Sequence, residues 1–159
     1  MNKIDSLRDA IVAAIPGLSI DPDRLLVFMD EGHIVATAEP SASFEFRYTA
    51  RLVMLEFSGS TAGLMAAIVA WAHRNQPDLF QNPDNRAHGL TFEADMLSHE
   101  SADLSIRVKL TESVVVNAAP DGTWQTARVD DSVPGNDDWD PAAWVEARDA
   151  ARGAVPENE

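Results

Sequence analysis

The stretch Phe44-Glu45-Phe46-Arg47-Tyr48-Thr49-Ala50-Arg51-Leu52-Val53-Met54 decides the fold. Phe44, Phe46, Tyr48, Ala50, Leu52 and Met54 alternate with Glu45, Arg47, Thr49 and Arg51. That period of two puts one face of an extended chain in a core and the other in water. The pattern recurs downstream, where Leu104, Ile106, Val108 and Leu110 alternate with Ser105, Arg107, Lys109 and Thr111. Val114-Val115-Val116 then continues without alternation, which predicts cover on both faces of the sheet there. Shorter strands are expected at Leu25–Met29 and His33–Ala38, joined by a tight hairpin at Asp30-Glu31-Gly32. Two more are expected at Leu90–Leu97 and Trp124–Val129, the latter after an Asp121-Gly122 turn.

Helical spacing frames these strands. Ile4, Leu7, Ile11 and Ile15 recur at intervals of three and four, so an amphipathic helix is predicted to end near residue 15, at Pro16-Gly17, and to lie on the sheet. Ser60 or Thr61 is a fitting N-cap for a second helix, from Ala62 to about Arg74. Its middle is apolar on every side, which predicts burial all round, inside its own core or partly in a subunit contact. Asn75-Gln76-Pro77-Asp78 breaks it, and Gln81–His88 reads as an exposed loop. The fold class is therefore α+β: a mixed, mainly antiparallel sheet packed against two helices.

The whole chain has 159 residues, 45% hydrophobic and 24% charged, which is the make-up of one ordinary globular domain. No cysteine is present, so thiolate metal sites, cysteine nucleophiles and disulfides are excluded and the compartment is left open. The charged start speaks against a signal peptide, and the longest apolar run, Leu64–Ala72, is far short of the roughly 20 residues that span a bilayer. With 12 Lys and Arg against 26 Asp and Glu, the net charge is −14, which opposes gripping of phosphate backbones or anionic lipid.

That charge is uneven. Residues 1–129 hold 17 acids and 10 bases, net −7, whereas residues 130–159 hold nine acids and two bases, also net −7. The shift to Asp, Pro, Gly and Asn places a boundary near residue 130, between an α+β domain (1–129) and an acidic C-terminal extension (130–159). Within the extension, Asp140-Pro141 reads as an N-cap with proline at the first helical position, and Trp139 and Trp144 fall where a hydrophobic staple closes. A short helix near 141–152 is expected, docking on its own domain or on a partner.

Candidate chemistry is sparse. His88, Asp95 and His99 lack the spacing that places metal ligands on one face, and they read as surface residues. His33 and His73 have no carboxylate or serine at a telling distance, and no nucleophile elbow exists. Ser58-Gly59-Ser60-Thr61 precedes a helix as a phosphate cradle does, but the lysine of a P-loop is missing. Neighbouring acids such as Asp30-Glu31, Asp130-Asp131 and Asp137-Asp138 read as solubility charges. No catalytic, cofactor or metal site is expected.

Read together, Ser6-Leu7-Arg8, Phe28-Met29-Asp30 and Ser43-Phe44-Glu45-Phe46-Arg47-Tyr48-Thr49 resemble the tail completion protein R family of P2-like contractile-tailed phages. Phe57 with Gly59, Trp71, Asn75-Gln76-Pro77-Asp78, Thr91-Phe92, Asp103-Leu104-Ser105-Ile106 and Leu110-Thr111-Glu112 follow in the family's order, over roughly residues 5 to 122. Glu56 and Ser60 depart from the family pattern, and residues 130–159 match nothing in it.

The resemblance implies a structural protein of the virion, made in the bacterial host cytoplasm. It would finish the tail at its head-proximal end and prepare it for head joining. It also implies a homohexameric ring whose partners are the tail tube or sheath protein and the head-tail connector, without sequence-specific nucleic-acid binding and without a membrane. Phe44, Arg47, Tyr48, Arg51, Gln76, Asp78, Glu112, Trp139 and Trp144 are the candidate interface residues, several of them expected to serve folding instead. An acidic lumen is expected of such a ring, since passing DNA must not stick. On the residues alone, an adaptor using the acidic tryptophan-bearing tail, or an enzyme with an unrecognised site, stays open.

Overall fold

The computed structural model describes residues 2–36 and 40–132. Helix α1 (Asn2–Ala14) and the short α2 (Pro16–Ile20) lead through a 3-10 turn to strands β1 (Leu25–Ala36) and β2 (Phe44–Phe57). Helices α3 (Thr61–Asn75), α4 (Asp78–Gln81) and α5 (Pro83–His88) follow, then β3 (Leu90–Met96), β4 (Ala102–Ala118) and β5 (Trp124–Arg128). The five strands form one antiparallel sheet in the order β1-β2-β4-β3, with β5 paired to the far end of β4. The α+β class stands: α1 and α3 cover one face of the sheet.

The parity read from the sequence is the parity of the core. Tyr48, Ala50, Leu52 and Met54 of β2 and Leu104, Ile106, Val108 and Leu110 of β4 are all buried against Leu7, Ile11, Leu64, Ile68 and Trp71 of the helices. Direct pairing of Ala50 with Val108 and of Leu52 with Ile106 aligns the two stripes. The Ser60 hydroxyl caps α3, accepting from the Gly63 N–H at 3.1 Å.

Four expectations are corrected. Residues 30–32 form no hairpin: β1 runs through them as one strand, pairing Asp30 with Thr49 and His33 with Arg47, and one extra residue bulges where Glu31 takes a φ of 55°. The fourteen-residue β2 is long enough to hold both halves of that sequence, which outweighs the local turn chemistry. Helix α1 ends at Ala14, just before Pro16-Gly17 as expected, and Pro16 also opens the short α2, since proline suits the first turn of a helix. Residues 81–88 are mostly helical, with the Asn82 side chain accepting from the Asp84 N–H to cap α5 ahead of Pro83.

Helix α3 is not buried all round: Leu64, Ala67, Ile68, Trp71 and Ala72 are buried, but Met65, Ala66, Val69 and Ala70 are half-buried. Val115 is exposed between buried Val114 and half-buried Val116, so only one face is covered at that end of the sheet. Trp139, Trp144 and the helix expected near 141–152 lie outside the described residues.

Gly89 is required by close approach. A Cβ there would strike the Leu79 side chain and stand 2.5 Å from the Asn85 carbonyl oxygen. The Gly122 turn into β5 uses a φ of 83°, which side chains other than glycine adopt at a cost.

Candidate functional site

The order of strands creates the site. β3 pairs with β4 only as far as Leu90, opposite Val108, so the β4 edge beyond that point needs another partner for its backbone groups. The Gly89 carbonyl accepts from the Lys109 N–H at 2.8 Å, and Gln76 takes over from there. The Gln76 Oε1 accepts from the Thr111 N–H at 3.1 Å and its Nε2 donates to the Thr111 hydroxyl at 3.0 Å, so the amide acts as a short piece of neighbouring strand. Lys3 of α1 donates to the same Oε1 at 3.1 Å and pairs with Asp131 at 2.9 Å. Gln76 is 3% exposed; what reads as a helix break is a buried clamp between α1, α3 and β4.

Beside the clamp lies an open cleft of about 800 Å³. Its walls hold Gln76 just past the end of α3, Asp78 from the start of α4, Arg47 and Thr49 from β2, and Lys109 from β4. Asp78 accepts from the Asn85 amide at 2.7 Å, which fixes α5 against α4. Arg47 pairs with Glu45 at 2.6 Å, and the bulge turns Glu31 so that its carboxylate accepts from Thr49 at 3.1 Å. The cleft is lined by charges and amides and suits recognition of another polar surface. Among the described residues no three His, Asp or Glu are placed to hold a metal ion, and no helix is long and apolar enough to cross a membrane.

A second polar group sits on the helix-covered side. Glu112, 5% exposed, accepts from the Tyr48 hydroxyl at 2.5 Å, from the Asn2 N–H at 3.2 Å and from the Arg128 guanidinium. Three donors satisfy the carboxylate and tie α1, β2, β4 and β5 together. Burial pushes the Tyr48 hydroxyl pKa well above the tyrosine range, and its bond to the Glu112 carboxylate pushes it further the same way.

The candidate residues thus separate. Arg47, Tyr48, Gln76 and Asp78 all line the cleft, although Tyr48 and Gln76 are themselves buried. Glu112 lies in the buried group. Phe44 packs edge-on against Phe46 with ring centroids 4.9 Å apart, and Arg51 stands on the sheet face turned away from α1 and α3, paired with Asp30 at 2.6 Å and lying 4.4 Å from the Phe28 ring centre. Reading by sequence misses Lys3, Lys109 and Thr111. The strand parity that buries Leu110 also sends Lys109 and Thr111 to the opposite face, which is the signal that would have found them.

A family profile described as P2 phage tail completion protein R (GpR) matches residues 1–132, which is most of the chain and all of the sheet and helices above. The chain belongs to that family. Tail completion protein R of Escherichia phage P2 is 37% identical over 134 residues, covering 84% of this chain and 86% of the phage P2 protein. No solved structure matches. The match spans the Gln76 clamp, the Glu112 group and the cleft, and it stops at Ser132, at the end of the described residues.

Proposed function

We propose that this chain completes the tail of a contractile-tailed phage or a phage-tail-like particle and prepares its head-proximal end for joining to the head. The family match over residues 1–132 carries this reading. The role is structural: six copies form a ring on the tail, the ring meets the tube or sheath protein below and the head-tail connector above, and no catalytic step is involved. Assembly takes place in the host cytoplasm.

Two features of the fold support a ring. A heterologous contact that closes needs two different patches on each subunit. The chain offers two dissimilar sheet edges, each with exposed apolar side chains: Ile34, 61% exposed, on β1, and Phe92 and Met96, 57% and 72% exposed, on β3. Such edges invite pairing unless a neighbour covers them. Arg47 and Asp78 at the cleft rim add charges that set the register of a neighbouring subunit more than its affinity.

Electron cryomicroscopy of particles carrying the protein tests this. Sixfold averaging of the head-proximal end of the tail is expected to show a ring of six copies of this fold. Density for the chain at the distal end, or none in the tail, would overturn the proposal.

A further inference from the structure

Both ends of the sheet are open. Its order is β1-β2-β4-β3, and among the described residues no strand lies beyond β1 or beyond β3. Neither edge carries the proline or lysine that commonly blunts one. The bulge of β1 comes only after Asp30, so Leu25–Asp30 is a regular run of six residues, matched in length by Thr91–Met96 of β3. Every neighbouring pair between them is antiparallel, which leaves β1 and β3 pointing in opposite directions. Copies related by rotation about an axis along the strands keep each strand's direction, so β3 of one copy meets β1 of the next antiparallel.

Side chains at the two edges complement each other on both faces. On the side of α1 and α3, Met29 pairs with Ala50 and Phe92 with Ile106, yet both Met29 and Phe92 are exposed. The opposite face carries both signs of charge, unevenly placed. Glu93 and Asp95 stand exposed on the β3 edge, where they pair with Ser105 and Asp103. At the other edge the Arg51 guanidinium lies over β1, 4.4 Å from the centre of the Phe28 ring. Asp30 takes its Nε at 2.6 Å, and among the described residues its terminal nitrogens make no hydrogen bond. Arg51 also stands directly opposite Arg107, so a second carboxylate at this edge offsets a like-charge repulsion.

We propose that, in a ring of such copies, the reading on which this inference rests, β3 of one copy pairs antiparallel with β1 of the next, Thr91–Met96 along Leu25–Asp30 with Glu93 opposite Phe28. Phe92 then covers Met29 on the helix side, and Glu93 reaches the terminal nitrogens of Arg51 on the other. A one-residue slip sends Phe92 to the charged face. A two-residue slip sets Glu93 against Asp30 or carries it away from Arg51.

The chain has no cysteine, so paired substitutions report this contact. Leu26→Cys and Asp95→Cys are placed in one chain, tails are purified from the lysate and oxidised, and this chain is detected by antibody without reductant. A disulfide ladder from dimer to hexamer is expected. Met29→Cys with Phe92→Cys, on the other face, is expected to give the same ladder and serves where the first pair fails to enter tails. Leu26→Cys with Phe92→Cys, whose side chains point to opposite faces, is expected to link about tenfold less. Arg51→Glu is expected to lower the yield of either matched pair about tenfold, and adding Glu93→Lys to restore most of it. The unsubstituted chain present in tails while neither matched pair links, or a mismatched pair that links equally well, overturns the edge pairing and leaves the tail reading standing. A yield indifferent to Arg51→Glu overturns the register. Links from Leu26→Cys or Asp95→Cys alone would assign like edges to each other and overturn it equally. Absence of the unsubstituted chain from tails overturns the tail reading, and this inference with it.

Discussion

Replacing Tyr48 by Phe removes one oxygen from a buried bond and leaves the ring in the core. Tyr48 is 4% exposed and its hydroxyl donates to Glu112, which keeps the Arg128 and Asn2 donors in the variant. A hydrogen bond to a charged group contributes about 1.5–3 kcal/mol, so Tyr48→Phe is expected to lower unfolding free energy by about 2 kcal/mol. With a urea dependence of about 1.5 kcal/mol per molar, the midpoint falls by about 1.3 M. Fluorescence of buried Trp71 reports the transition.

The pH dependence isolates the same bond. The native state holds the tyrosine proton above the usual pKa of about 10, whereas the unfolded chain releases it there. The unfolded state then binds fewer protons, so this contribution to stability is complete below about pH 10 and is lost above it at about 1.4 kcal/mol per pH unit. Tyr48 is the single tyrosine of the chain, so ultraviolet absorbance reads its ionisation alone. Tyrosinate is expected to appear only as the protein unfolds, and Tyr48→Phe is expected to flatten the alkaline loss. Tyrosinate forming near pH 10 in a protein with native circular dichroism, or a variant within about 0.5 kcal/mol of the parent, would refute the reasoning.

Gln76→Ala strips the β4 edge of its partner, leaving the Thr111 N–H unpaired in a part-buried site. The expected cost is about 2–3 kcal/mol in urea denaturation, with faster hydrogen exchange at Thr111. Gly89→Ala forces a Cβ against Leu79 and the Asn85 carbonyl and is expected to cost about 2 kcal/mol, read as a lower Tm. Ser60→Ala removes the α3 cap and is expected to cost about 1 kcal/mol, with Ser60→Asp restoring most of it in the same melting assay.

Much of the fold is legible because two strands declare their parity. Alternation over 44–54 and 104–110 sets which side chains face the helices, and Ser60 announces the start of α3. The bulge at Glu31 is not legible locally, since Asp-Glu-Gly is ordinary turn chemistry; only the length of β2 shows that both flanks pair with it. The helices after residue 77 carried readable signals, Asn82 as a cap and Pro83 at the first turn, which the polar composition of the stretch masks. Glu112 and Gln76 are harder. Parity places Glu112 inward, but a buried carboxylate is expected only where donors await it, and Tyr48, Arg128 and Asn2 come from three distant segments. Gln76 is buried because β3 stops short of it, a property of the partner strand rather than of its own surroundings. The closeness of Arg51 and Arg107 follows from register, which pairs them directly and cannot be read from either strand alone.

Deletion of the gene from its phage or prophage, with electron microscopy of the lysate, tests tail completion most directly. Tail length and the fraction of heads joined to tails are scored with and without the protein supplied from a plasmid. Overlong or headless tails, corrected by the supplied protein, are the predicted result. Tails of normal length joined to heads in the deletion lysate would contradict it.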